Sequence, residues 1–163
     1  MFGAMPDAHP APADYVVYTD GGCHPNPGRG GWGVVILQAG KVVDERSGGA
    51  PDTTNNRMEL TAAAEALRAL PDGARADIHT DSTYVRDGIS KWIAAWRRRG
   101  WTTKDGGAVK NQDLWCLLDE LASQRQVQWH WVRGHTGDRY NERADALASA
   151  ALRGTPLRAA DRS

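Results

Sequence analysis

Tyr15-Val16-Val17-Tyr18-Thr19-Asp20-Gly21-Gly22 is a β-branched and aromatic run that stops on an acid and two glycines. Such a run reads as a strand, 14–20, with Asp20 at its end. Residues 33–37 and 41–46 read as two further strands, with the glycine-rich connection 21–31 and the pair Ala39-Gly40 suited to hairpin turns. Three consecutive strands imply an antiparallel meander.

The rest of the chain alternates. Thr54 and Asn55 suit the N-cap of a helix carrying Met58, Leu60, Ala63, Ala64 and Leu67, closed by Pro71-Asp72-Gly73. A short strand follows at 76–80. Helical patterns then cover 82–89, 90–99, with Trp92, Ile93 and Trp96 on one side, and 112–124. Val127, Trp129 and Trp131 alternate as a fifth strand, in which Trp129 and Trp131 read as structural, and 141–152 is a closing helix. This order describes an α/β domain, a mixed sheet flanked by helices.

At 163 residues, 40% hydrophobic and 25% charged, the chain has the size and composition of one ordinary soluble domain, able to bury roughly two-thirds of its unfolded surface without disulfides. No apolar run approaches the ~20 residues of a membrane span. Residues 1–13 carry prolines among alanines and lack the basic start and apolar stretch of a secretory signal. They read as a flexible tail before a domain at 14–153, with a second polar tail at 154–163, in a cytoplasmic, monomeric protein. Cys23 and Cys116 are then expected to stay reduced. Net charge is zero, yet residues 91–110 hold six basic residues against one acid, +5, and the remainder carries −5. One face is basic and another acidic, so a polyanionic partner is not excluded.

The acids carry the chemistry. Asp20 ends one strand, Asp81 another; Glu59 lies in the first helix, and Asp145 opens the last. A carboxylate at a buried strand end must be hydrogen-bonded, paired or bound to metal to offset its desolvation. Four acids with no cysteine cluster point to a hard cation with oxygen ligands. Crowding should raise the pKa of at least one, so metal binding should release protons and activity should rise from mildly acidic to alkaline pH.

Tyr18-Thr19-Asp20-Gly21-Gly22-Cys23 with Asn26-Pro27-Gly28, Thr53-Thr54-Asn55-Asn56-Arg57-Met58-Glu59-Leu60, Thr80-Asp81-Ser82, Gly134-His135-Thr136-Gly137 and Asn141-Glu142-Arg143-Ala144-Asp145 follow in order. Together they resemble the signature of ribonuclease H, in its bacterial single-domain type 1 form, across about residues 14 to 153. The resemblance implies a five-stranded mixed sheet, three antiparallel strands then two parallel, and cleavage of the RNA strand of an RNA·DNA hybrid. It also implies two Mg²⁺ ions, for which Mn²⁺ can substitute: Asp20 bridging them, Glu59 and Asp81 holding the first, Asp145 the second, and His135 moving a proton or helping product leave.

The same resemblance distributes substrate contacts. Asn26, Asn55 and Asn56, with Cys23 nearby, match positions that touch the hybrid, and amides suit RNA because they both donate to and accept from 2′-hydroxyls. Thr54, Arg57 and Asn111 resemble a pocket for a DNA phosphate. Trp92 resembles an aromatic that packs on deoxyribose. Arg97, Arg98, Arg99 and Trp101, continuing to Lys104 and Lys110, resemble a basic protrusion that grips the backbone, its tip loosened by Gly106-Gly107; such contacts add salt-sensitive affinity. One departure stands out: Thr83 occupies a position where many members have a glutamine that reads the minor groove.

Overall fold

Five strands, β1 (Tyr15–Cys23), β2 (Gly28–Gln38), β3 (Lys41–Thr53), β4 (Arg75–Thr80) and β5 (Gln126–Trp131), form one sheet in the order β3-β2-β1-β4-β5. The structure is a computed structural model and describes residues 13–133, 138–155 and 157. β1 runs antiparallel to β2, with Val17 opposite Ile36, and parallel to β4, with Val17 beside Ile78. β2 and β3 are antiparallel and β4 and β5 parallel, so the expected mixed sheet is present.

Helices α1 (Asn55–Arg68), α2 (Thr83–Asp87), α3 (Ile93–Arg98), α4 (Gln112–Ser123) and α5 (Arg139–Arg153) complete the described fold. Alternation along β1 divides the core, since successive side chains face opposite ways. Val17 joins Val34, Ile36, Leu60, Leu67, Ile78, Trp115 and Leu118 in the main core, while Val16 and Tyr18 face a smaller cluster of Val35, Leu37, Ala144 and Leu147 beneath α5. Full burial of each large apolar side chain contributes roughly 1.5–3 kcal/mol.

Two glycines set how closely helices approach the sheet. A Cβ at Gly21 would fall 2.5 Å from the backbone nitrogen of Glu59, and one at Gly33 would fall 2.8 Å from Leu147 Cβ. Both distances are inside van der Waals contact. α1 and α5 therefore lie against bare backbone on β1 and β2, which brings Glu59 and Asp145 toward Asp20.

Several elements differ from the sequence reading. Gly21–Cys23 and Gly28–Gly31 extend the β1–β2 ladder, with Gly22 opposite Gly31, leaving only residues 24–27 as the turn. Glycine is a poor strand former, yet its backbone still makes ladder bonds. β3 continues to Thr53 rather than ending near 46. Residues 88–92 form a π-helical turn between α2 and α3, which rotates Trp92 out of line; Ile93 is buried while Trp92 is 38% exposed. Trp131 likewise is not a core residue, at 37% exposed. α5 begins earlier than expected because Asp138 caps it, its Oδ1 accepting from the Tyr140 and Asn141 amides at 2.8 and 3.2 Å. Asp145 consequently sits in the second turn.

Candidate active site

β1 and β4 run parallel, so their C-terminal ends share one edge of the sheet. Their pairing stops at Tyr18 and His79, which opens the backbone beside Asp20 and leaves Asp81 just beyond β4. α1 crosses Gly21 and supplies Glu59 to the same place. Carboxylate oxygens of Asp20, Glu59 and Asp81 lie within 4.8 Å of one another. Asp145, from α5, is near enough to push the Asp20 carboxyl up. Three of the four acids thus meet around one point, and Asp145 adjoins them through its influence on Asp20.

The electrostatics are those of an unneutralised cluster. Burial, then the charges of Asp81 and Asp145, pushes the Asp20 carboxyl up to about 8, against a smaller lowering by the Gly21 amide. Burial, followed by Asp20 and Asp81, raises Glu59 well above the usual carboxylate range. Glu59 Oε1 is buried with no hydrogen-bond partner. A buried acceptor left in this state costs on the order of 1–3 kcal/mol or more, and a cation among the acids would satisfy it. Hard oxygen donors converging with one unsatisfied lone-pair site fit a hard divalent cation.

A cleft of about 330 Å³ opens over the acids, lined by Gly21, Asn55, Asn56, Glu59, Asp81, Ser82, Thr83 and Tyr84. Asn55 and Asn56 are exposed on its rim. Asn26 is exposed beside them, its Oδ1 accepting from the Asn55 amide at 3.2 Å. Cys23 is instead buried, its thiol turned to the carbonyls of Pro25 and Thr53 at 3.1 and 3.4 Å. It braces the turn below the asparagines.

Thr54, Arg57 and Asn111 come together across 57 residues of sequence. Thr54 caps α1, its Oγ1 accepting from the Arg57 amide at 3.2 Å, and an Arg57 Nη1–H donates to Asn111 Oδ1 at 3.2 Å. Asn111 adopts a left-handed backbone, φ 60, and its amide donates to the Tyr84 hydroxyl at 3.1 Å. Two further members were not foreseen. Asp113 takes a two-pronged pair with Arg57 at 3.0 and 2.8 Å, and Tyr84 accepts from both Asn111 and, at 3.0 Å, Trp115 Nε1. No local signal in the sequence links positions 57 and 113.

Trp92 stands exposed with its ring edge toward Tyr84, centroids 6.3 Å apart. The basic stretch is less uniform than its composition. Arg97 pairs with Asp119 of α4 through Nε at 3.0 Å, and Lys91 with Asp87 at 3.5 Å. Arg98, Arg99, Lys104 and Lys110 are exposed. Trp101 is half-buried against the main core, 6.3 Å from Trp96. Thr103 accepts from Gly106 through its carbonyl at 3.0 Å and donates its amide to the Gly107 carbonyl at 2.8 Å, so the glycine tip closes a hydrogen-bonded turn. His135 lies outside the described residues.

Comparison with known proteins agrees with this geometry. The family pattern described as RNase H matches residues 12–153. The chain is 57% identical over 136 residues to Ribonuclease H of Chelativorans sp. (strain BNC1), covering 83% of each. It is 58% identical over 135 residues to Ribonuclease H of Halorhodospira halophila, covering 83% of this chain and 90% of that one. Among solved structures, LC9-RNase H1, described as a type 1 RNase H with the type 2 active-site motif, superposes with a TM-score of 0.77 at 35% identity, covering 90% of this chain and 76% of that one. With fold, acidic cleft and sequence in agreement over nearly the whole described domain, the chain belongs to the ribonuclease H family.

Proposed function

We propose that this protein hydrolyses the RNA strand of RNA·DNA hybrids endonucleolytically, using two Mg²⁺ ions held by Asp20, Glu59, Asp81 and Asp145. The observation that carries this reading is the ring of three acids with its orphaned Glu59 oxygen. Asp20 would be shared between the ions, with Glu59 and Asp81 holding one and Asp145 the other. Mn²⁺ can replace Mg²⁺, since both take octahedral oxygen shells.

The reaction adds a water oxygen to phosphorus and breaks the bond to the 3′ oxygen, leaving 5′-phosphate and 3′-hydroxyl ends. The bound ions supply activation of that water and neutralisation of the leaving oxygen. His135 shuttles a proton or speeds product departure. Asn26, Asn55 and Asn56 read 2′-hydroxyls in the wide minor groove of the hybrid. Thr54, Arg57 and Asn111 take a DNA phosphate, for which Arg57 exchanges its pair with Asp113, and Trp92 packs on the sugar. Arg98, Arg99, Lys104 and Lys110 grip the backbone. Such an activity suits removal of RNA primers and R-loops in the cytoplasm by a monomeric enzyme.

The test is cleavage of end-labelled RNA·DNA, RNA·RNA and DNA·DNA duplexes of one sequence, with Mg²⁺ and with EDTA, beside Asp20→Asn. Internal cuts confined to the RNA of the hybrid, and lost with EDTA or the substitution, are expected. Hybrid binding without cleavage would make the chain a binding module instead.

A further inference from the structure

Trp131 pairs with Thr80 at the last step of the β4–β5 ladder. Trp129, two residues earlier on the same face, packs against the main core, whereas Trp131 is 37% exposed. Core burial therefore does not account for so large a side chain at this place. Its indole Nε1–H donates to the main-chain carbonyl of Asp81 at 3.2 Å, across 50 residues of sequence. The neighbouring backbone is held too: the Ser82 amide donates to Thr80 Oγ1 at 3.1 Å, and the Val132 amide to the Thr80 carbonyl at 2.9 Å. The ring is itself steadied, with the Arg86 guanidinium 4.5 Å and that of Arg133 5.8 Å from its centroid.

Asp81 is the first residue past the strand, where the ladder no longer supplies partners. Its carboxylate is crowded against Asp20 and Glu59, and like charges drive such a group outward unless its backbone is fixed. We propose that Trp131 is a positioning residue for Asp81, holding its peptide so that the acidic ring is assembled before an ion enters. An indole is a neutral donor with no acceptor. It can tether the carbonyl without competing for the ion, and without pairing with the carboxylate as an arginine or lysine there would. The inference rests on the reading of Asp81 as a metal ligand.

The experiment titrates the full chain with Mn²⁺ alone, following the free-ion signal by electron paramagnetic resonance, with melting temperatures in EDTA alongside. Trp131→Phe keeps a ring beneath Arg86 but has no N–H. Groups that orient metal ligands are worth about 10- to 100-fold in affinity, and a weakening near the low end, about tenfold, is expected. In hybrid cleavage the Mg²⁺ concentration for half-maximal rate should rise by the same factor, while the rate at saturating Mg²⁺ stays within about threefold; a merely structural role would not move that midpoint. Arg86→Ala, which frees the ring but leaves the N–H, should weaken Mn²⁺ binding by a smaller factor, about threefold. It decides the matter if Trp131→Phe melts far below the wild type. Wild-type affinity in the deciding variant overturns the inference alone. Absence of Mn²⁺ binding in the wild type overturns the metal-site reading itself.

Discussion

The acidic cleft and the basic stretch are opposites in how their charges are settled. At the cleft, every side chain that shifts Asp20 or Glu59 is another acid. In the basic stretch, Arg97 and Lys91 already have Asp119 and Asp87 as partners. The first region is held in an unfavourable state by the packing of α1 and α5 on the sheet. The second has part of its charge already matched and keeps only the rest for a ligand. Unresolved charge, rather than the number of charged residues, marks the cleft as the candidate site.

The sharpest way to break this contrast is to remove one acid from the ring. Asp20→Asn is expected to lower hybrid cleavage by about 10³-fold or more, since bound metal supplies several kcal/mol of transition-state stabilisation. His135→Ala should slow turnover by about 10²-fold, the usual scale of a single proton-transfer group. Single-turnover assays of both variants check the order; equal and complete losses would refute it.

Stability against pH probes the same strain without catalysis. The Asp20 carboxyl sits at about 8 in the folded protein and 3.8 when unfolded. Between those values the unfolded chain loses the proton that the folded chain keeps, so ionisation favours unfolding. The metal-free protein should therefore lose stability progressively as pH rises from about 4 to about 8. Mg²⁺ should restore it, and Asp20→Asn should flatten the slope. Melting curves in EDTA at a series of pH values would show this, and a metal-free protein most stable at pH 8 would contradict it.

Salt dependence sharpens the other side. Lys104→Ala or Lys110→Ala should each reduce the slope of log affinity against log salt by about 1. Arg97→Ala should change that slope less, because its charge is already matched by Asp119, and an exposed pair of this kind is worth under about 1 kcal/mol to the fold. Fluorescence anisotropy with a labelled hybrid at several salt concentrations separates the cases. The smallest effect belongs to Thr83→Gln. Thr83 lines the cleft, and a longer amide there should lower KM by a few-fold, about 1 kcal/mol for one added hydrogen bond, with kcat unchanged.

What the sequence made readable follows from local pattern. The β-branched and aromatic run Tyr15-Val16-Val17-Tyr18 marked β1, and turn residues bounded α1, so Asp20 and Glu59 could be placed on their elements. The rest depended on distance relations that no window contains. Gly28–Gly31 has weak strand propensity and pairs because Cys23 and its neighbours lie opposite. Trp129 and Trp131 have identical periodicity, and only the end of the ladder tells the half-buried ring from the exposed one. Arg97 looked like a free cation until α4 brought Asp119 to it. Trp101, with φ 68, packs partly against the main core, which its basic neighbours do not signal.

Gly21 and Gly33 have one further consequence. They determine where two of the acids stand, yet neither offers a side chain to delete. A survey that trims residues to find what matters would pass over both, and would credit the whole site to the carboxylates themselves. Adding a single methyl at either position would instead shift an entire helix, with its acid, by a fraction of its own diameter. The accuracy of this cleft is written partly in atoms that are not there.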